Sequence, residues 1–246
     1  MAEPCWPGHG GAAPELTELP PASTVADDRE PHLLPGPGLV SRREDGAELT
    51  MAAWRFDVPL LGLSSAPYGG GWGERHWVLA AQVAHDYRRL DPERHLAGLA
   101  RGLALGGPGI GMLTAVDVRE VRTAWGDGVA VAATVGVTRP CWAAAAAEPD
   151  KAASPAGTVN IVAVLPRRLS RAALVNAVMT VTEAKSQALW DGGVPGTGTA
   201  SDAVAVLCPQ TGPAEPFGGP RSRWGARLAR AAHGAVLDGI LAPGAR

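Results

Sequence analysis

The sequence predicts an α+β or mixed α/β fold: a single domain whose mixed, partly antiparallel sheet packs with helices, preceded by a disordered N-terminal tail. Three observations predict it. Apolar runs of strand type arrive in groups as well as between helical stretches, which argues against a purely parallel, doubly wound sheet. Gly126-Asp127-Gly128 separates two such runs and reads as a hairpin turn. The run Val129–Val137 is apolar almost throughout, as expected of a strand covered on both faces.

Residues 1–38 are rich in Pro, Gly, Ala and acidic side chains and lack apolar periodicity. Such a segment buries too little surface to offset its ordering entropy, so a disordered tail is expected there and a domain over 39–242. Strands are expected at 49–58 and 60–66, then a glycine loop over Pro67-Tyr68-Gly69-Gly70-Gly71-Trp72-Gly73, then a strand over Trp77–Val83. Asp91-Pro92-Glu93 opens a helix, with Asp91 as N-cap and Pro92 first inside; Gly106-Gly107 ends it. Ile110–Asp117 reads as a strand, and Val118–Trp125 as the strand entering the hairpin. Residues 139–156 read as a loop or short helix. A strand from Gly157, a helix over Ala172–Asp191, a second strand closing at Cys208 and a final amphipathic helix over Ser222–Leu241 complete the chain.

At 246 residues, 46% of them hydrophobic, the chain can bury a core without disulfides or metal. Its three cysteines lie far apart and its six histidines form no ligand motif, so no metal site is expected. A net charge of −2 excludes a nucleic-acid surface of the usual basic kind. No basic start with an apolar core marks a signal peptide, and no apolar run reaches the roughly 18 residues of a membrane span. A cytoplasmic protein without membrane or nucleic-acid partners is the expectation; assembly into identical copies is compatible with it.

The stretch Gly157–Cys208 carries the most chemistry. Of the 22 Lys and Arg only Lys151 and Lys185 are lysine, and both asparagines, Asn160 and Asn176, lie here. On a helix advancing about 100° per residue, Asn176, Thr180, Glu183 and Gln187 form one polar stripe. Lys185 falls on the opposite, apolar side with Leu174, Val178, Val181, Ala188 and Leu189. It either snorkels past the apolar surface or is buried and paired; in the second case Asp202 is the first candidate partner. Glu183 and Lys185, two apart, cannot face each other along the helix.

Several segments resemble the adenosylcobinamide amidohydrolases: Leu63-Ser64-Ser65-Ala66-Pro67 with Gly69-Gly70-Gly71; Gly109–Ala115; Thr134–Thr138; Gly157-Thr158-Val159-Asn160-Ile161; Ala173–Ala177; Thr182-Glu183-Ala184-Lys185; and Gly196-Thr197-Gly198-Thr199 with Asp202-Ala203-Val204. The resemblance runs from residue 50 to 241. It implies hydrolysis of the amide joining aminopropanol to the corrin's propionyl side chain, giving adenosylcobyric acid in corrinoid salvage. The corrinoid brings its own cobalt as substrate, and no separate cofactor is expected. The alternatives are a corrinoid binder without turnover and a hydrolase of another amide. Ser201 stands where the family pattern has Thr, and Ala80 and Arg139 stand where Asn is expected; these touch substrate detail rather than class.

Amide hydrolysis needs an attacking oxygen, a proton for the leaving amine and oxyanion stabilisation. The catalytic candidates are Glu183, Lys185, Asp202, Ser65 and Thr199, with Ser64, Thr114 and Thr158 as further hydroxyls. A hydroxyl, or a water held by Glu183, would attack, and Lys185 with Asp202 would orient or activate it. Gly69, Gly70, Gly71, Thr114, Asn160, Asn176, Thr197 and Gly198 are the substrate-binding candidates, and Trp72, Trp77, Tyr68 or Phe217 could line a cleft for the corrin.

Overall fold

The computed structural model describes residues 34–146 and 157–243. The tail before residue 34, and the part of the 139–156 expectation beyond residue 146, lie outside them. Within them stand β1 (Gly38–Glu44), β2 (Ala47–Ser64), β3 (Gly71–Gln82), α1 (Pro92–Gly102), β4 (Gly109–Thr114), β5 (Arg122–Gly126), β6 (Val129–Val135), β7 (Val159–Val164), α2 (Arg171–Asp191), β8 (Ala203–Cys208) and α3 (Arg223–Leu241). The strands form one mixed sheet in the order β4-β3-β2-β8-β7-β6-β5, with β1 added onto β2. β3–β4 and β7–β8 are parallel and the other pairs antiparallel.

Alternation along β6 explains the layers. Val129, Val131, Ala133 and Val135 face α2 and α3, sharing a core with Leu174, Val181, Leu189, Leu228 and Val236. Ala130 and Ala132 face the other way, into a core with Val162 and Val164 of β7, Ile110 and Met112 of β4, and Trp54 of β2. That second face therefore curls so that the β4 side meets the β7 side. Alanines 52, 80, 130, 132, 203 and 205 let the backbones approach. A third core lies under α1, where Leu96 and Ala100 pack on Trp77, Leu79 and Met51.

The two-residue turns of the β1–β2 and β5–β6 hairpins each put a non-glycine and a glycine in the left-handed region, Asp45-Gly46 (φ 49° and 82°) and Asp127-Gly128 (φ 51° and 82°). This is the pattern that matches strand twist. The first makes β1, which the composition of the neighbouring tail obscures; Leu34, within the expected tail, is buried. The two strands expected at 49–58 and 60–66 are one long strand, with a register shift between Arg55 and Leu60. The glycine loop is shorter than expected, because Gly71-Trp72-Gly73 already belongs to β3.

Residues 118–120 are a 3₁₀ turn rather than the start of β5, because the Asp117 carboxylate accepts from Arg119 N at 3.0 Å. Asp91 does precede Pro92 at the start of α1, but its carboxylate binds Arg89 instead of capping the helix. Ser170 and Ser222 cap α2 and α3, accepting from Ala173 N and Gly225 N. Among the described residues no helix is long and apolar enough to cross a membrane.

Candidate active site

The turn Thr199–Asp202 delivers Asp202 to the start of β8, beside the start of β7. Its carboxylate takes four donors. Oδ1 accepts from Val159 N (2.9 Å) and Thr199 Oγ1 (2.5 Å). Oδ2 accepts from Thr199 N (3.0 Å) and from Lys185 Nζ. The Lys185 and Asp202 side chains are 7% and 11% exposed, so the pair is almost closed from water. Two charges are tolerated there because each is neutralised and the carboxylate's lone pairs are taken up. These four donors take up the lone pairs of the Asp202 carboxylate.

The glycines of this loop leave room for that pair. A methyl group at Gly198 would overlap Asp202 Oδ2 and stand 2.5 Å from Lys185 Nζ. One at Gly196 would stand 2.8 Å from Cys141 O, and one at Gly157 would overlap Gly136 O. The loop is clamped from both sides. Cys141 N donates to Gly198 O (2.8 Å) and Thr197 N to Cys141 O (2.9 Å). Ala143 N donates to Thr197 Oγ1 and Ser186 Oγ to Thr197 O, each at 3.0 Å.

Of the expected catalytic side chains, Lys185, Asp202 and Thr199 are brought into one network. Ser65 borders it: its N–H donates to Val204 O and its Oγ accepts from Val204 N, both at 3.0 Å, two residues from Asp202. Ser65 is exposed, and its hydroxyl proton is not used by that bond. Glu183 does not join them. It is exposed on the other flank of α2, beside a cavity of about 320 Å³ between α2 and α3 shared with Thr180, Gln187, Arg230 and His233.

The remaining candidates are dispersed. Ser64 Oγ is buried and accepts from Ala66 N. Thr158 and Ser201 share a hydrogen bond of 2.8 Å on the turn before Asp202. Thr114 Oγ1 is buried and accepts from Val116 N. Asn160 Nδ2 donates to Leu113 O (2.8 Å), tying β7 to β4 across the curled face, while its Oδ1 is buried without a partner. Asn176 faces Gly219, where a methyl group would stand 2.8 Å from its Oδ1.

Sequence reasoning missed Arg75. It is buried, and among the described residues no carboxylate lies within ion-pair reach of it. Nη2 donates to Gly69 O (2.9 Å) and Gly71 O (3.2 Å), and Nη1 to Glu74 O (2.8 Å). Burial pulls its pKa below the usual guanidinium value. A methyl group at Gly73 would stand 2.7 Å from Nη1, and one at Gly62 3.1 Å from Cγ, so these glycines open the space it fills. Gly69 and Gly71 have φ of 64° and 79°. Because the Gly69 carbonyl points at Arg75, the Gly70 N–H of the same trans peptide points away from it. The glycine loop is thus pinned rather than loose; an arginine four residues after a glycine run was the available signal. Arg75→Met is expected to remove the guanidinium donors from those carbonyls, lowering stability by about 2 kcal/mol. Urea denaturation measures this, and unchanged stability would mean the loop is held by other contacts.

Comparison with known proteins puts the chain among the amidohydrolases. A Methanosarcina mazei protein called adenosylcobinamide amidohydrolase is 30% identical over 187 residues, spanning 72% of this chain and 87% of its own length. A Halobacterium salinarum protein of the same name is 41% identical over 122 residues, spanning 47% of this chain and 51% of its own. The chain belongs to the adenosylcobinamide amidohydrolase family, whose model matches residues 37–246.

Proposed function

We propose that the chain hydrolyses the amide joining aminopropanol to a propionyl side chain of the corrin in adenosylcobinamide, giving adenosylcobyric acid and aminopropanol in corrinoid salvage. The observation that carries this reading is the buried Lys185–Asp202 pair next to the exposed hydroxyl of Ser65. Asp202 fixes the ammonium and leaves N–H bonds of Lys185 for another acceptor. An ammonium held in a nearly dry site favours the negative charge that develops on the amide oxygen during attack.

Ser65 Oγ adds to the carbonyl carbon, and its proton passes to the nitrogen as the C–N bond breaks and aminopropanol leaves. Water then cleaves the ester, returning the serine hydroxyl and releasing the carboxylic acid. Thr199 takes no part in bond making: its hydroxyl is a donor to Asp202 and serves to position that carboxylate.

The test is incubation of the full chain with adenosylcobinamide, followed by mass spectrometry for adenosylcobyric acid. Product in the wild type and a loss of at least about a hundredfold in Ser65→Ala are expected. Corrinoid retained without product would sink the hydrolase reading in favour of a binder. Full turnover in Ser65→Ala would remove the serine from the mechanism and leave water as the attacking oxygen.

A further inference from the structure

The helix layer does not cover the whole sheet. On the face that carries α2 and α3, β2 presents Leu61 and Leu63, both partly buried against the helix-side core. The ladder pairs Leu61 with Glu74 and Leu63 with Trp72, so these four side chains share that face. Trp72 is 47% exposed, and Glu74 is exposed as well. A ledge of sheet therefore lies open beside α2.

The wall of the ledge is one flank of α2. The helix starts next to the end of β8, where Leu169 N donates to Cys208 Sγ, and reaches Asp202 at the start of β8 through Lys185. It therefore runs alongside β2 in the same direction. Arg171 stacks on Trp72, 4.1 Å from the ring centroid, which fixes the near end of the wall against the ledge. Residues spaced three or four apart from Arg171 continue the same flank: Val175 (53% exposed), Val178, Thr182 and finally Lys185. The floor runs in parallel from Leu61 through Leu63 to Ser65. Ledge and flank thus converge on the hydroxyl and the ion pair.

We propose that this ledge is the platform on which the corrin ring of the substrate lies, with Trp72 and Val175 as its principal contacts. The proposal rests on the hydrolase reading for the identity of the occupant. A corrin is a broad macrocycle with apolar faces and a net positive charge, too large for an enclosed cavity, and its reacting amide sits on a side chain at its rim. An open apolar floor ending at Ser65 and Lys185 matches that shape. Glu74 supplies a carboxylate on the same face; hydrogen bonds from Gln210 and His76 hold it below the usual carboxylate range. The structure thus keeps a large ligand outside and admits only its side chain to the nearly closed pair.

The test is equilibrium dialysis of the full chain against adenosylcobinamide, with turnover measured separately. Trp72→Ala and Val175→Asp, both at exposed positions, are expected to weaken binding roughly tenfold. In turnover they raise KM and leave kcat within about twofold, since they touch the ring and not the reacting bond. Trp125→Phe, on β5 at the far edge of the sheet, is the control and binds as the wild type does. Wild-type binding by both ledge variants overturns the proposal. So does a Trp72-dependent dimer in analytical ultracentrifugation that saturating corrinoid leaves intact, because a second copy would then occupy the ledge. Corrinoid binding that depends on Trp72 in a chain giving no cobyric acid would defeat the hydrolase reading and leave the platform standing.

Discussion

Replacing Lys185 by methionine is expected to cut amide hydrolysis by at least about a hundredfold and to destabilise the domain by about 3 kcal/mol. Both effects follow from one geometry. The Asp202 carboxylate is nearly closed from solvent and would lose its only cationic donor among the described residues. Three donors would remain, Val159 N, Thr199 N and Thr199 Oγ1, so the penalty falls at the low end for a broken buried pair. Arginine is not a conservative replacement, because its planar fork needs space that Gly198 leaves only for an ammonium. The double variant Lys185→Met with Asp202→Asn separates the two effects. Removing both charges is expected to recover only part of the stability, because the amide nitrogen introduced at 202 faces a backbone or hydroxyl donor that the carboxylate accepted from, whereas activity stays lost. Urea denaturation and the cobyric acid assay measure them independently. A Lys185→Met chain that turns over at the wild-type rate would remove the ion pair from the proposed mechanism.

The second large effect is expected at a residue with no functional group. Gly198→Ala places a methyl where it overlaps Asp202 Oδ2 and stands 2.5 Å from Lys185 Nζ. Neither neighbour is the free end of a mobile side chain, since Asp202 is held by four donors. The methyl must displace the pair or the loop, and overpacking of this kind costs about 2 kcal/mol. Turnover is expected to fall by roughly a hundredfold, because a misplaced ammonium no longer meets the developing oxyanion. Gly126→Ala is the matched control: nothing lies within 4 Å of its added methyl, and wild-type behaviour is expected. A Gly198→Ala chain with full activity and an undisturbed Lys185–Asp202 contact in its crystal structure would show that the loop yields more easily than its clamps imply.

Much of the architecture was legible in the sequence because it is local. Asp127-Gly128 announced its hairpin, since few residue pairs adopt two left-handed conformations in succession. The unbroken apolar run of β6 meant burial on both faces, and all seven of its residues are buried. Where local signals competed, the reading slipped. Asp117 looked like the end of one strand, yet its carboxylate makes the capping bond of a 3₁₀ turn. Gly71-Trp72-Gly73 looked like loop, yet the ladder with Leu63 and Ser64 draws it into β3.

Helical periodicity by itself determined that Lys185 lies on the apolar flank of α2 and that Glu183 lies elsewhere, because side-chain direction around a helix follows from spacing alone. Only the tertiary structure decided what each flank meets. The stripe at Asn176, Thr180 and Glu183, which resembles a solvated face, is turned toward α3 and the segment before it, where Thr180 Oγ1 donates to Gly218 O. The three carbonyl partners of Arg75 lie within its own turn and strand, whereas Asp202 acquires its bond from Val159 N through pairings of strands far apart in sequence. Those pairings are set by the summed burial and hydrogen bonding of the whole sheet. No single segment carries that sum, so the partners of Lys185 and Asp202 become fixed only when the strands have assembled.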